Sequence, residues 1–407
     1  MLDSIYSAYT GLLSFSKGLT VLSNNVANMN TPGFKASNVN FNDLFYQFSA
    51  SGGQQNPIDS QVGEGATTSG TSVDFSQGQL GNTGNPLDVA ISGLGFFVLS
   101  DGTNTYYTRD GEFQIDSQGY LVDKTHRYRV QAIQGSGGLS DIDLINLQTS
   151  PAQATTQVSF VGNLSRDATS DQVASITVYD SVGGSHTLTA NFSNTGTVTA
   201  GTWQVKVTDE NSNTVGSGQI AFNADGSPAT SGNTVAVTLA PKGVPSSQIT
   251  LNFGTPGQFT AATNYSGGST SNMKVNTVDG HAGGSLVTTS FDAQGVITLQ
   301  YSNNQTAKGP QLALASFNDP GGLAELGNAV FNNPAHMPVS YASGNGALTG
   351  TLTSNEVELS NVDLTQEFTE LVILQRGYQA SSQVVTVADQ MIQQLIDMRG
   401  GTNSGGG

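Results

Sequence analysis

The stretch from Asp363 to Met398 constrains this chain more than any other. Steps of alternately four and three residues from Leu364 meet Phe368, Leu371, Gln375, Tyr378, Ser382, Val385, Asp389, Ile392 and Ile396. Seven of those ten are apolar or aromatic, the spacing of a coiled-coil seam. A second row, Val384, Ala388, Met391, Leu395 and Met398, widens the apolar face in the last turns. Asp363 is placed to accept from first-turn N–H groups and Gln366 to reach back, which predicts a capping box. At ~1.5 Å per residue the helix would be roughly 50 Å long. A stripe that long and narrow must be covered by a partner.

One candidate partner lies at the other end. Residues 3–28 repeat the spacing with Ile5, Tyr9, Leu12, Ser16, Leu19, Ser23 and Val26, flanked by Leu2, Leu13 and Leu22. Asp3 is the expected N-cap. The turn Asn30-Thr31-Pro32-Gly33 should end this helix near Asn28, because proline biases the preceding residue away from helical geometry. Either the two helices pair, or each packs separately onto a globular core. The apolar positions available to such contacts are Leu2, Ile5, Tyr9, Leu12, Leu19 and Val26 in the first helix. In the second they are Leu364, Phe368, Leu371, Tyr378, Val385, Ile392, Leu395 and Ile396.

The 407 residues allow two or three domains. With 50 glycines and only 11% charged residues, the body reads as β-rich and turn-dense. A net charge of −17 with thirteen basic residues argues against a nucleic-acid partner and an anionic membrane surface. There is no cysteine, which excludes disulfides and thiolate-held metals. The longest strongly apolar run, Val89 to Leu99, is too short to span a bilayer. The first basic residue is Lys17, unlike a secretory signal. The Gly/Ser/Thr/Asn-rich body nevertheless suits a protein that works outside the cell, which predicts export without a cleaved signal peptide.

Between the helices the periodicity changes. Residues 35–70 read as a weakly patterned connector with an aromatic cluster at Phe41, Leu44, Phe45, Tyr46 and Phe48. Residues 71–147 and 285–355 read as strands and tight turns, with hairpin signals at Asp101-Gly102 and Asp110-Gly111. Residues 148–284 form a distinct block of alternating segments such as Trp203-Gln-Val-Lys-Val207, the pattern of an all-β sandwich or barrel. The expectation is a mainly β chain with terminal α-helices and nested domains. Residues 1–34 and 356–407 form a helical, coiled-coil-like core, 71–147 and 285–355 an inner β-domain, and 148–284 an outer one inserted into it.

Catalytic constellations are lacking. There is no Gly-x-Ser-x-Gly elbow and no complete dinucleotide or phosphate loop. His126, His186, His281 and His336 are scattered without zinc-ligand spacing, and the Asp–Gly pairs lack the ligand pattern of a calcium loop. Asp141 and Asp143 share one side of a strand beside a Gly-rich turn and read as solvated surface. Trp203 reads as a core anchor rather than a sugar-stacking platform. No cofactor, metal or small-molecule substrate is expected, and the chain does not read as an enzyme.

Residues 24–35, Asn-Asn-Val-Ala-Asn-Met-Asn-Thr-Pro-Gly-Phe-Lys, closely resemble the N-terminal signature of the axial proteins of the bacterial flagellum. Ser360-Asn361-Val362-Asp363-Leu364, Gln375-Arg376-Gly377-Tyr378-Gln379-Ala380 and Ala388-Asp389-Gln390-Met391 are similar to that family's C-terminal signature. The matching signature positions are Asn25, Asn28, Thr31, Pro32, Gly33 and Phe34 at one end. At the other they are Asn361, Asp363, Gln375, Arg376, Tyr378 and Asp389. Asn85 to Val98 and Tyr107 to Phe113 look like rod and hook proteins, and Phe291 to Asn303 with Leu312 to Phe317 looks like the hook branch. The distal rod branch is the nearest alternative; a secreted β-rich adhesin or glycan-active protein with coiled-coil ends is the alternative outside the family. Leu352-Thr-Ser-Asn-Glu356 departs from the smaller turn usual there.

The resemblance implies a homopolymer: a flexible hollow helical tube that carries torque from rod to filament and lies on the export path. It implies a location in the hook, outside the cell. It further implies, as partners, the distal rod protein, the hook cap, the hook–filament junction and hook-length control proteins, and the type III export gate. Phe41 and Phe45 resemble the element that such export substrates present to that gate.

Overall fold

The computed structural model describes residues 2–48, 61–135, 137–194, 201–344, 346 and 349–401. The chain is mainly β with one long helix near each end, α1 (Leu2–Ala27) and α2 (Leu364–Gly401). Among the described residues, no helix is long and apolar enough to cross a membrane. Two compact units are present: Met1–Ile145 with Thr289–Thr298 and Lys308–Gly407, and Asn146–Thr288 with Leu299–Ala307.

In the first unit the helices pair antiparallel. Asp363 caps α2, its Oδ1 accepting from Thr365 N at 2.8 Å and Gln366 N at 3.4 Å. The reciprocal Gln366 bond of a capping box does not form among the described residues. α1 begins at Leu2, so Asp3 lies inside its first turn rather than capping it. There its charge still faces the positive end of the helix dipole.

The 35–70 stretch is more ordered than its sequence pattern indicates. Ser37–Asp43 pairs antiparallel with Ala66–Val73, and Tyr46–Phe48 with Gln61–Gly63. The longer ribbon packs on α1, where Ser14 Oγ donates to Ala66 O at 3.2 Å. Residues 49–60 lie outside the described residues.

A ten-stranded sheet forms the body of this unit. Its centre, Phe96–Ser100, pairs with Thr105–Thr108 on one side and with Arg129–Ile133 and Leu314–Phe317 on the other. Phe96, Tyr107, Phe317 and Phe331 are buried together, with Phe75 packed against them. Asp101-Gly102 turns the expected hairpin, Asp101 Oδ1 accepting from Thr103 N and Asn104 N at 2.7 Å. Asp110-Gly111 does not. The chain instead passes close to Val89, whose N–H donates to Gly111 O at 3.1 Å. A Cβ on Gly111 would collide with Val89 O, so glycine serves close approach there, not a turn.

Thr351–Ser354 pairs with Val89–Ser92 and Glu356–Glu358 with Leu80–Asn82. The departing sequence Leu352 to Glu356 thus forms two short strands joined at Asn355, whose φ is 61°.

The second unit holds two sheets around one core. Ser170–Tyr179, Ser185–Asn194, Thr202–Thr208 and Thr214–Ala221 form an antiparallel meander. The other sheet is mixed, with Gln157–Asn163 parallel to Ser247–Asn252 and antiparallel to Lys274–Val278. Strict alternation, as in Thr234–Leu239, sends every second residue inward. Trp203 is fully buried with Phe160, Phe192 and Phe253, which makes it the core anchor its strand position predicts. Gly216 and Gly218 lie against Val235 and Val237, letting the two sheets approach closely.

Candidate assembly surface

The helix seam is built on small residues. A Cβ on Gly11 would lie 3.1 Å from Ser381 Oγ, one on Gly18 3.1 Å from Leu374, and one on Gly377 2.7 Å from the Phe15 ring. Asn25 Nδ2 donates to Glu367 Oε1 at 3.1 Å. The opposed pairs Asn25–Glu367, Gly18–Leu374 and Gly11–Ser381 advance seven residues per step in opposite directions, a heptad seam. Among the described side chains of α2, Glu367, Leu374 and Ala388 are the buried ones.

The expected stripe is therefore half correct. Leu364, Leu371, Val385 and Ile392 lie along the seam and are half-buried, as are Ile5, Leu12, Leu19 and Val26. The alternate positions are displaced by one residue: Glu367, Leu374, Ser381 and Ala388 take the places that spacing gave to Phe368, Gln375, Ser382 and Asp389. Gly11 and Gly18 on the facing helix make room for Ser381 and Leu374, and Asn25 bonds Glu367; apolarity alone does not reveal that choice. Large residues are left outside. Phe368, Tyr378, Leu395 and Ile396 are exposed, Ile396 to 64%. Tyr9 is exposed with Tyr6 and Leu13 along α1. The Leu2 side chain lies outside the described residues.

Ile373, Val384, Val387, Met391, Leu395 and Met398 compose a second, exposed row on α2. Its last turns run beyond the start of α1, given the register of the seam. Tyr6 and Tyr9 border an open cleft of about 500 Å³ with Asp3, Ile5 and Glu64.

The signature positions from Asn25 to Phe34 and at Asn361 and Asp363 lie at the ends of the helices. Asn25 is 1% exposed, and its side chain also bonds Ser37 N and O at 3.0 and 2.9 Å. Asn28 donates to Asn24 O and accepts from Thr31 Oγ1. Pro32 precedes Gly33, where φ is +69° and a Cβ would lie 2.5 Å from Asp110 N, so only glycine fits. Phe34 is buried. Asn361 Oδ1 accepts from Ala36 N at 2.8 Å, while its amide donates to Asp74 O and Ser76 O. Gln375, Arg376 and Asp389 are exposed on α2.

Phe41 packs its ring 6.2 Å from Phe15, whereas Phe45 is 88% exposed. Asp141 is not free surface: Arg129 and Gln131 donate to its two oxygens at 2.7 and 2.6 Å. Asp143 Oδ1 accepts from Ile145 N. The carboxylate pair is thus occupied by structural bonds.

Comparison with known proteins bears on this arrangement. Residues 5–35 match the family described as flagella basal body rod protein, and 353–398 the C-terminal region of the flagellar basal body rod FlgEFG proteins. Residues 90–200 match the flagellar hook protein FlgE/F/G D1 domain. The chain is 32% identical to the flagellar hook protein FlgE of Treponema pallidum (strain Nichols), over 98% of this chain and 100% of that one. It belongs to the flagellar hook protein family. Within that family it is also 30% identical to FlgE of Borreliella burgdorferi, over 98% of this chain and 100% of the relative. The flagellar basal-body rod protein FlgG of Bacillus subtilis is 26% identical over 98% of this chain and 100% of its own. These two hook relatives resemble it more than this rod relative does.

Proposed function

We propose that the chain is a non-catalytic structural subunit of the flagellar hook that polymerises through its terminal helices into a hollow, flexible helical tube. The observation that carries this reading is the apolar row Ile373 to Met398, left exposed after the helices have paired. Exposed contiguous apolar surface marks an interaction site, and covering it gains about 25 cal/mol per Å². Identical subunits joined head to tail without closing generate a tube. The helices would line its core and the β-domains face outward, with residues 148–284 inserted as an outer domain into an inner one of 71–147 and 285–355. The tube would join rod to filament outside the cell, transmit torque and form part of the export channel. At its ends it would meet the distal rod, cap and junction proteins. Phe41 and Phe45 would present the element read by the export gate.

The test is assembly of the purified chain, followed by electron microscopy and sedimentation. Ile373→Asp with Leu395→Asp should leave the circular dichroism and melting of the monomer unchanged and abolish polymers. Leu12→Asp or Leu371→Asp, at half-buried positions, should disrupt pairing as well as assembly while sparing the β-sheet transition. Polymers formed by the Ile373/Leu395 variant would overturn the reading.

A further inference from the structure

Where the helices join the β-body of the first unit, three charged side chains are buried together. Glu358 Oε1 accepts from Lys35 Nζ at 2.6 Å and from Gly78 N at 2.7 Å. Its Oε2 accepts from Arg109 Nη1 at 3.2 Å. The side chains of Lys35 and Glu358 are 0% exposed and that of Arg109 is 1%. Lys35 Nζ also donates to Ser76 O at 2.7 Å, and Arg109 Nη2 to Gly93 O at 2.8 Å. The guanidinium lies 4.9 Å over the Phe96 ring. The backbone joins in, Gly33 N donating to Glu358 O at 2.7 Å.

The charges do not balance. Arg109 alone neutralises Glu358 within the cluster, so Lys35 adds a second cation to a fully buried site, offset in part by the Asp74 charge; burial lowers its pKa. A buried ion pair is weak evidence for stability, because desolvation offsets most of the attraction. A supernumerary buried lysine is weaker evidence still. Its specific effect is to tie the segment just after α1 to the 76–78 loop and to Glu358. Glu358 stands six residues before α2 begins, and Lys35 eight after α1 ends. Both helices therefore leave the body within a few residues of one carboxylate.

Helix α2 has 38 residues, roughly 57 Å at ~1.5 Å per residue. A rotation of about 5° at the base of such a rod displaces its tip by about 5 Å, close to one helical turn. We propose that Glu358, clamped by Lys35 and Arg109, is a positioning residue that fixes the direction in which the helix pair leaves the β-body. It thereby fixes where the exposed row of α2 is presented to a neighbouring copy. The consequence for neighbours rests on the polymer reading above; the clamp itself does not.

The chain has no cysteine, so two introduced ones report unambiguously. Spin labels at Ser23→Cys on α1 and Thr103→Cys in a body turn, both exposed, give a distance distribution for the monomer. The full chain should show one narrow distance. Lys35→Met leaves Glu358 and Arg109 paired, so it should broaden that distance at least twofold while melting within about 3 °C of the parent. Glu358→Gln strands both cations; it should broaden the distance and lower the melting temperature by about 10 °C. An unchanged distance in Lys35→Met overturns the clamp. So does broadening with a fall in melting as large as that of Glu358→Gln, since Lys35 would then be merely structural. In assembly, Lys35→Met should give short or irregular polymers. Regular ones would overturn the link from clamp to neighbour. Failure of the parent to polymerise would refute the polymer reading and leave the monomer result standing.

Discussion

Asn25 and Glu367 meet at the base of the helix pair, the amide of one donating to a single carboxylate oxygen of the other at 3.1 Å. The second oxygen, Glu367 Oε2, is buried without a hydrogen-bond partner among the described residues. Burial raises the pKa of Glu367; the Asn25 bond opposes this, and the Glu370 and Asp363 charges add to it. A raised carboxyl pKa means that the folded state holds the proton more tightly. The stability tied to this group is thus full below its unfolded value and is lost as pH rises through the folded one. Glu367→Gln should therefore stabilise the helix pair at pH 7 and make no difference in acid. Asn25→Ala should cost about 2–3 kcal/mol, because it leaves the Glu367 carboxylate and the Ser37 backbone groups without partners. Amide hydrogen exchange in α1 and α2 across pH 4–8 checks both. Equal protection of Glu367→Gln and parent at pH 7 would contradict the first.

Small seam residues lead to a second prediction. Gly377 faces the Phe15 ring so closely that a Cβ would lie 2.7 Å from it. Gly377→Leu should push the helices apart and expose the bonds after Lys17 and Arg376 to trypsin in the monomer. The β-sheet melting transition should stay in place. Phe368→Ser, on the exposed side, should leave the cleavage rate as in the parent. A protease-resistant Gly377→Leu chain would show that the seam tolerates a wider spacing.

These contacts indicate how much was legible in the sequence. Both helices, the turn at Pro32-Gly33, the hairpin at Asp101-Gly102 and the burial of Trp203 follow from periodicity and turn chemistry. Half of the seam follows as well. The displaced half does not, because Gly11, Gly18 and Gly377 matter for the space they leave, and a hydrophobic pattern records only what is present. Residues 35–70 were illegible for a related reason. Their strands carry mostly uncharged polar side chains with little inward alternation, as Ser37–Asp43 shows. The Lys35–Glu358–Arg109 cluster joins residues far apart in the chain, and nothing local marks them as partners.

Asp110 yields a third prediction. Burial pushes its pKa from 3.8 up to about 7; the bond from the Glu112 backbone N–H and the Lys124 charge oppose this, and the Glu112 and Asp123 carboxylates add to it. The folded state then binds a proton between about pH 4 and 7 that the unfolded chain does not. This contribution is full below pH 3.8 and is lost as pH rises through about 7. Asp110→Asn should thus have a higher urea midpoint than the parent at pH 8 and the same midpoint at pH 4. The difference between the two proteins is the quantity to follow, because Asp101, held down at about 2 by N–H donors from Asn104 and Thr103, works in the opposite direction.

Trp203 supports the last prediction. Its ring is fully buried among Phe160, Phe192 and Phe253, yet its Nε1–H has no acceptor among the described residues. A buried indole normally finds one, and a stranded donor carries a desolvation cost. Trp203→Phe removes that stranded donor with part of the ring volume, so the two effects oppose each other and the net loss should be about 1 kcal/mol. Trp203→Ala gains the same relief but opens a large cavity and should cost about 3–5 kcal/mol. Hydrogen exchange in Thr202–Thr208 and its neighbours Ser185–Asn194 and Thr214–Ala221 measures both within the second unit. A loss for Trp203→Phe near that of Trp203→Ala would mean that the indole N–H is bonded in solution, and that the strand holds the ring by polarity as well as by shape.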